Sequence, residues 1–188
     1  MRSRKERKRA DGFSLIELVI VIAIAAIMVG GAALSINILT TANTKDLAYE
    51  INSGLTELKA KNTSQENPVY LHVYKYQDSY YMKYTDSVSF TPDDSGKEIG
   101  SPAMRVSVTY DVRDDSDHKL TDETSVLGAN GDICIGMAKK DGAFVFFEKN
   151  PSEKKKRAAR EITVSSSDGS GYIVYMVTDT GNHYIQVK

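Results

Sequence analysis

The sequence predicts an α+β protein in which a long N-terminal helix packs on a mainly antiparallel sheet. Three observations predict it. No charged residue occurs from Leu18 to Thr44, and leucines and isoleucines then recur at helical spacing as far as Leu58. After Pro68 the pattern changes to the period-two alternation of half-buried strands.

The 188 residues carry a net charge of only −1, which by itself points to no partner. The distribution says more. Residues 1–12 hold six bases (Arg2, Arg4, Lys5, Arg7, Lys8, Arg9) against Glu6 and Asp11, leaving 18 bases and 23 acids in the rest of the chain. A basic head on a mildly acidic body reads as a targeting segment rather than a nucleic-acid-binding surface. Cys134 is the single cysteine, so no intramolecular disulfide forms; with Ile133, Ile135 and Met137 around it, it reads as a small buried apolar residue.

From Leu18 to Leu34 the chain is apolar throughout, counting Gly30 and Gly31, and extension through Leu39 reaches the roughly 20 residues that span a bilayer. The stretch is too apolar all round to be one face of a soluble helix. The basic head would stay in the cytoplasm and the C-terminal body would lie outside. An uncut signal anchor and an ordinary secretory signal, cut near Thr40-Thr41-Ala42, are alternatives that would leave an extracytoplasmic binding or enzymatic domain. Beyond Thr44, Leu47, Ile51, Leu55 and Leu58 form an amphipathic stripe, and Asn, Thr, Ser and Pro accumulate from Asn62 to Pro68, where the helix should end. Three parts follow: a basic leader at 1–12, a helical spine at 13–62 and a β-rich body at 68–188.

At the boundary between leader and apolar stretch stands Gly12-Phe13-Ser14-Leu15-Ile16-Glu17-Leu18. Glycine before a scissile bond lets an extended backbone approach a protease closely. Glu17 is the only charge between Asp11 and Lys45, and a charge at the centre of a membrane helix costs roughly 2.5–3.5 kcal/mol on insertion scales. The bland reading leaves Glu17 solvated at the cytoplasmic interface. The heptapeptide resembles the processing and methylation motif of type IV pilins and of the pseudopilins of type II secretion and competence systems. That resemblance covers roughly residues 1–65. It implies cleavage by a prepilin peptidase between Gly12 and Phe13, N-methylation of Phe13, and a filament-assembly role for Glu17, which would pair with the freed amine of an incoming subunit. It also implies a pilin-like fold. The implied partners are prepilin peptidase, copies of the chain and related pilins, an inner-membrane assembly platform, and membrane lipid before assembly. The implied location is the bacterial cytoplasmic membrane, single-pass, and then an extracytoplasmic filament. Many pilins carry a proline in this part of the helix, and this chain has none before Pro68.

In the body, 69–74 and 80–84 read as a hairpin around Gln77-Asp78-Ser79, 105–112 as a strand with one wet face, 133–135 and 144–147 as buried strands, and 172–177 with 184–187 as a terminal hairpin, for five to seven strands. Asn150-Pro151-Ser152-Glu153 reads as a helix start by N-cap, first-turn proline and capping box, opening a short basic helix with Lys154, Lys155, Lys156, Arg157 and Arg160. That run makes nucleic acid a weakly supported partner; a solvated helix face is the simpler reading. Asp93-Asp94 and Asp114-Asp115-Ser116-Asp117 raise calcium, but the second has no glycine-turned loop with a closing glutamate; solvated turns are expected and no metal or cofactor is predicted. His72, His118 and His183 stand singly, the first in a strand and the others in turns, which gives zinc no case. The tyrosines of the first hairpin read as cross-strand pairs, with an adhesive surface as the alternative. No G-x-S-x-G, H-E-x-x-H, P-loop or dinucleotide fingerprint appears, so the expectation is a structural subunit and not an enzyme.

Overall fold

A computed structural model describes residues 14–113, 125–139, 141–147, 156–177 and 180–188, with the side chains of 32–40, 103, 112, 113 and 156–158 outside the described set. The leader, Gly12, Phe13, Asp114 to Asp117, His118 and Asn150 to Lys155 lie outside the described residues. The chain divides into two compact units, residues 1–38 and 39–188.

Helix α1 spans Leu15–Ser64, somewhat beyond the expected end of the spine. Its first part belongs to the N-terminal unit. There every described large apolar side chain is exposed, among them Leu15, Ile16, Ile22 and Ile27 at 50% or more. The part from Leu39 onward belongs to the body, where the expected stripe is fully buried: Leu47, Ile51, Leu55 and Leu58 are each 0% exposed. The helix ends where Asn62 clamps the next strand, its amide accepting from Val69 N at 2.9 Å and donating to Val69 O at 2.9 Å.

The described residues of the body form ten strands rather than five to seven: β1 (Tyr70–Tyr76), β2 (Ser79–Thr85), β3 (Lys97–Gly100), β4 (Val106–Arg113), β5 (Ser125–Val126), β6 (Asp132–Met137), β7 (Phe144–Phe147), β8 (Lys156–Ser166), β9 (Gly171–Val177) and β10 (Asn182–Val187). They form one sheet in the order β10-β9-β8-β7-β6-β1-β2-β3, and β4 pairs with β8 and β5. Every pairing is antiparallel. The β1–β2 hairpin closes through Gln77 and Asp78, both at positive φ (46° and 66°), as in the tight turn whose twist matches the flanking strands. One face of the sheet buries Leu71, Val73, Ile135, Phe144, Ile162 and Val174 in a core shared with the α1 stripe. Polar contacts tie the edges of the sheet to α1: Tyr84 Oη donates to Gly54 O at 3.0 Å, and Lys97 Nζ meets Glu50 at 2.6 Å.

Two further expectations are corrected. The basic stretch read as a short helix is strand β8 from Lys156 onward, because pairing on both edges overrides local helix propensity: β4 runs along one edge, and β7 followed by β9 along the other. The register slips between Asp111 and Val112, which face Glu161 and Ala159 and leave Arg160 as the bulged residue. His183 lies in β10 instead of a turn. The serine-rich 165–171 loop is a tight connection in which Ser165 and Ser166 end β8, Gly171 opens β9, and Asp168 accepts from Ser170 N at 2.9 Å.

Candidate functional site

The chemically distinctive residue of the N-terminal unit is Glu17, and the structure shows how the chain holds it. Ser14 immediately precedes α1 and its carbonyl accepts the first helical bond, from Leu18 N at 3.2 Å. Ser14 N donates to Glu17 Oε2 at 2.9 Å, and Glu17 N donates to Ser14 Oγ at 3.3 Å. This is a reciprocal capping box, in which two amides that a helix start leaves without partners satisfy each other's side chains. A carboxylate in the first turn also sits favourably in the field of the helix dipole. Ser14 was missed in the sequence although its signal was present: Ser-x-x-Glu leading directly into an apolar run.

Around Glu17 the helix surface is a continuous exposed apolar band, far larger than a soluble monomer ordinarily leaves uncovered. At Gly30 and Gly31 a Cβ would meet nothing within 4 Å, so both positions leave room for a neighbouring backbone. Among the described residues no helix is long and apolar enough to cross a membrane. The described apolar side chains, from Leu15 to Gly31, cover about 26 Å of helix against a hydrocarbon core of about 30 Å. The expected span through Leu39 includes residues 32–39, where the helical backbone continues. Gly12 and Phe13, the expected cleavage and methylation positions, lie outside the described residues.

The body offers a second cluster. His72, fully buried on β1, holds Asp132 of β6 through Nδ1 at 2.9 Å, while its Nε2 faces Thr85 Oγ1 at 2.9 Å, Ser87 O at 3.1 Å and Cys134 Sγ at 3.8 Å. Thiol, imidazole and carboxylate in that order resemble a nucleophile with its base and orienting group. The environment argues otherwise. Cys134 is 2% exposed, the Asp132 side chain 4%, and burial followed by the Asp132 charge pushes the thiol up, away from the thiolate that a nucleophile needs. With the Phe90 ring 4.7 Å from the imidazole, the cluster pins the segment after β2 onto the sheet.

The other expected sites resolve into local structure. Asp93 is held low by hydrogen bonds from Ser95 and by Lys83 Nζ at 3.4 Å. Among the described residues no group of three or more histidine, cysteine or carboxylate side chains could hold a metal. Lys156, Arg157 and Arg160 lie on strand β8, so these residues of the expected basic run form no helix face. The hairpin tyrosines work inward: Tyr74 stacks on Tyr81 at 5.6 Å, and Tyr80 Oη donates to Val106 O at 3.2 Å. Tyr74 Oη is buried and unpartnered among the described residues, and burial with the Asp93 charge pushes it up to about 12. An open cavity of about 330 Å³ lies between Lys75, Asp78, Tyr80 and Arg105, but Lys75 is already paired with Asp78 at 3.2 Å.

Residues 7–33 match the prokaryotic N-terminal methylation motif, the signature of type IV pilins and pseudopilins. The match covers Gly12, Phe13, Ser14 and Glu17. No curated protein and no solved structure matches the chain.

Proposed function

We propose that this chain, which carries the type IV pilin signature, is a pilin-like structural subunit. Prepilin peptidase cuts it after Gly12, the new N-terminus at Phe13 is methylated, and the processed chain assembles with copies of itself or related pilins into a filament. Before assembly the apolar part of α1 anchors it in the cytoplasmic membrane, with the leader inside and the body outside. The observation that carries the reading is the pairing of the motif with an apolar helix surface left bare in the monomer and broken by one carboxylate, Glu17. Such a surface needs lipid in the stored state and neighbouring helices in the assembled one. The helical backbone through residues 32–40 and the apolar sequence through Leu34 support a span.

Cleavage couples the two states. Before it, Glu17 is a lone carboxylate; afterwards an ammonium exists four residues away, and a neighbouring copy's Glu17 can receive it. Such a pair contributes register more than net stability, because its desolvation offsets its attraction. In the described part of the body, the thiol–imidazole–carboxylate cluster is closed to substrate.

Mass spectrometry of the cellular protein tests the reading. The expected N-terminus is Phe13 with one added methyl. An N-terminus at Asn43 would mean ordinary secretion, and an intact leader in finished fibres would end the proposal.

A further inference from the structure

We propose that Ser14 is a positioning residue for assembly, a role that rests on the pilin-like reading of Glu17: it aims the Glu17 carboxylate at the N-terminal end of the helix, where the ammonium of another copy arrives. A glutamate in the first turn otherwise has several staggered side-chain conformers. The capping box selects one. Oε2 is committed to Ser14 N at 2.9 Å, and Ser14 Oγ in return accepts Glu17 N at 3.3 Å. Oε1 has no partner among the described residues, and a carboxylate oxygen has lone pairs to spare. One oxygen caps, and the other is presented to the amine.

The geometry also keeps the charge off the lateral surface. Leu15, Ile16, Val19 and Ile20 around Glu17 are 50–81% exposed and form the band that neighbouring helices would cover. A carboxylate swung outward would place an unpaired charge in that dry contact, where it is costly. Folded back onto Ser14, it lies at the helix end with two of its chain's own groups satisfied. The partner chemistry is therefore a primary or methylated ammonium on a short extended segment, as the N-terminus of a second processed copy provides.

The test measures the ratio of processed chain, counted by its Phe13 terminus, in sheared fibres to that in the membrane fraction. Counting processed chain alone removes any effect on cutting, and the ratio removes any effect on the stored amount. Ser14→Ala should lower the ratio about fivefold, the scale of one lost N-cap, and Ser14→Thr, which restores the hydroxyl, should return it to within about twofold of wild type. An unchanged ratio for Ser14→Ala, or a Ser14→Thr ratio as low as that of alanine, would overturn the role. Glu17→Gln separates this inference from the underlying one, since glutamine also completes a capping box but carries no charge. Loss of fibres in Glu17→Gln with full membrane storage supports the charge pairing on which Ser14 acts. Normal fibres from Glu17→Gln would overturn that pairing and the positioning role with it.

Discussion

The two parts of α1 use the same kinds of residue to opposite ends. In the N-terminal unit Ile20, Val21 and Ile22 are 50–59% exposed, and nothing in the described chain covers them. In the body Leu47, Ile51, Leu55 and Leu58 are buried to the last atom against the sheet. The first part is apolar on every side and the second on one stripe, and that is the physical difference. A stripe can be satisfied by one sheet, whereas an all-round apolar helix needs surroundings on every side, which a single copy of the chain does not supply. The body's stability is therefore its own, and on the proposed reading that of the N-terminal part is borrowed from lipid or from other subunits.

The largest expected effect falls on the borrowed side. Glu17→Ala should leave cutting and membrane storage intact yet reduce fibre-borne chain by a hundredfold or more, because removing one partner of a desolvated pair costs about 3–5 kcal/mol. Wild-type fibre yield would show that the two parts of the helix do not divide the work in this way. Next in size is a paired experiment on the full chain in detergent. Leu55→Ala should lower the unfolding free energy of the body by about 3 kcal/mol, the usual cost of a core leucine, while Ile22→Ala should change it by less than about 0.5 kcal/mol. Equal losses from the two substitutions would erase the contrast.

Two smaller effects sharpen the picture of a self-contained body through its pH dependence. Asp111 and Glu161 face each other across β4 and β8, and burial, then the hydrogen bond and charge of Asp111, hold the Glu161 carboxyl above its ordinary 4.5. The folded state thus keeps a proton that the unfolded state releases, so stability should fall as pH rises above about 4.5. Denaturant midpoints at pH 4 and pH 7 should differ less in Glu161→Gln, which should be the more stable chain at pH 7. A larger pH difference in that variant would contradict the shared proton. His183 gives the opposite slope. Its Nδ1 meets Asn52 Oδ1 at 2.7 Å, its Nε2 meets Thr56 Oγ1 at 3.4 Å, and Lys59 Nζ donates to Gly181 O nearby at 3.3 Å. Burial, and then the Lys59 charge, hold the imidazole below its ordinary 6.5, so the neutral ring docks the terminal hairpin on α1. That contribution is complete above pH 6.5 and is lost as pH falls through the lowered value. Protection of β10 amides, taken relative to their intrinsic exchange rates, should fall between pH 6.5 and 5 in the wild type, and that fall should be absent in His183→Gln.

Much of the site was legible because it is local. The Gly12-Phe13 boundary, the lone Glu17 and the apolar run after it are neighbours in the chain, and even the capping box that was overlooked is written as Ser14 followed three positions later by Glu17. The α1 stripe and the β1–β2 hairpin were equally readable, since a helical period and a two-residue turn need no distant partner. By contrast, the residues from Lys156 to Arg160 were read as helix and are strand. Proline after asparagine and the run of lysines, arginines and alanines satisfy helix rules, and the bulge at Arg160 interrupts the alternation that would have revealed β8.

By itself the sequence determined that this chain has a basic N-terminal segment, an N-terminal methylation motif, an apolar helical stretch with a single carboxylate, and an amphipathic continuation leading into β structure. Each of these depends on residues no more than a few turns apart. Only the tertiary structure decided that β8 is a strand, that His183 docks the terminal hairpin on α1, and that His72, Asp132 and Cys134 close into a buried cluster. The two histidine contacts depend on partners 60 and 131 residues away and β8 on neighbours along both its edges, and backbone groups accept whichever pairing the assembled sheet offers them.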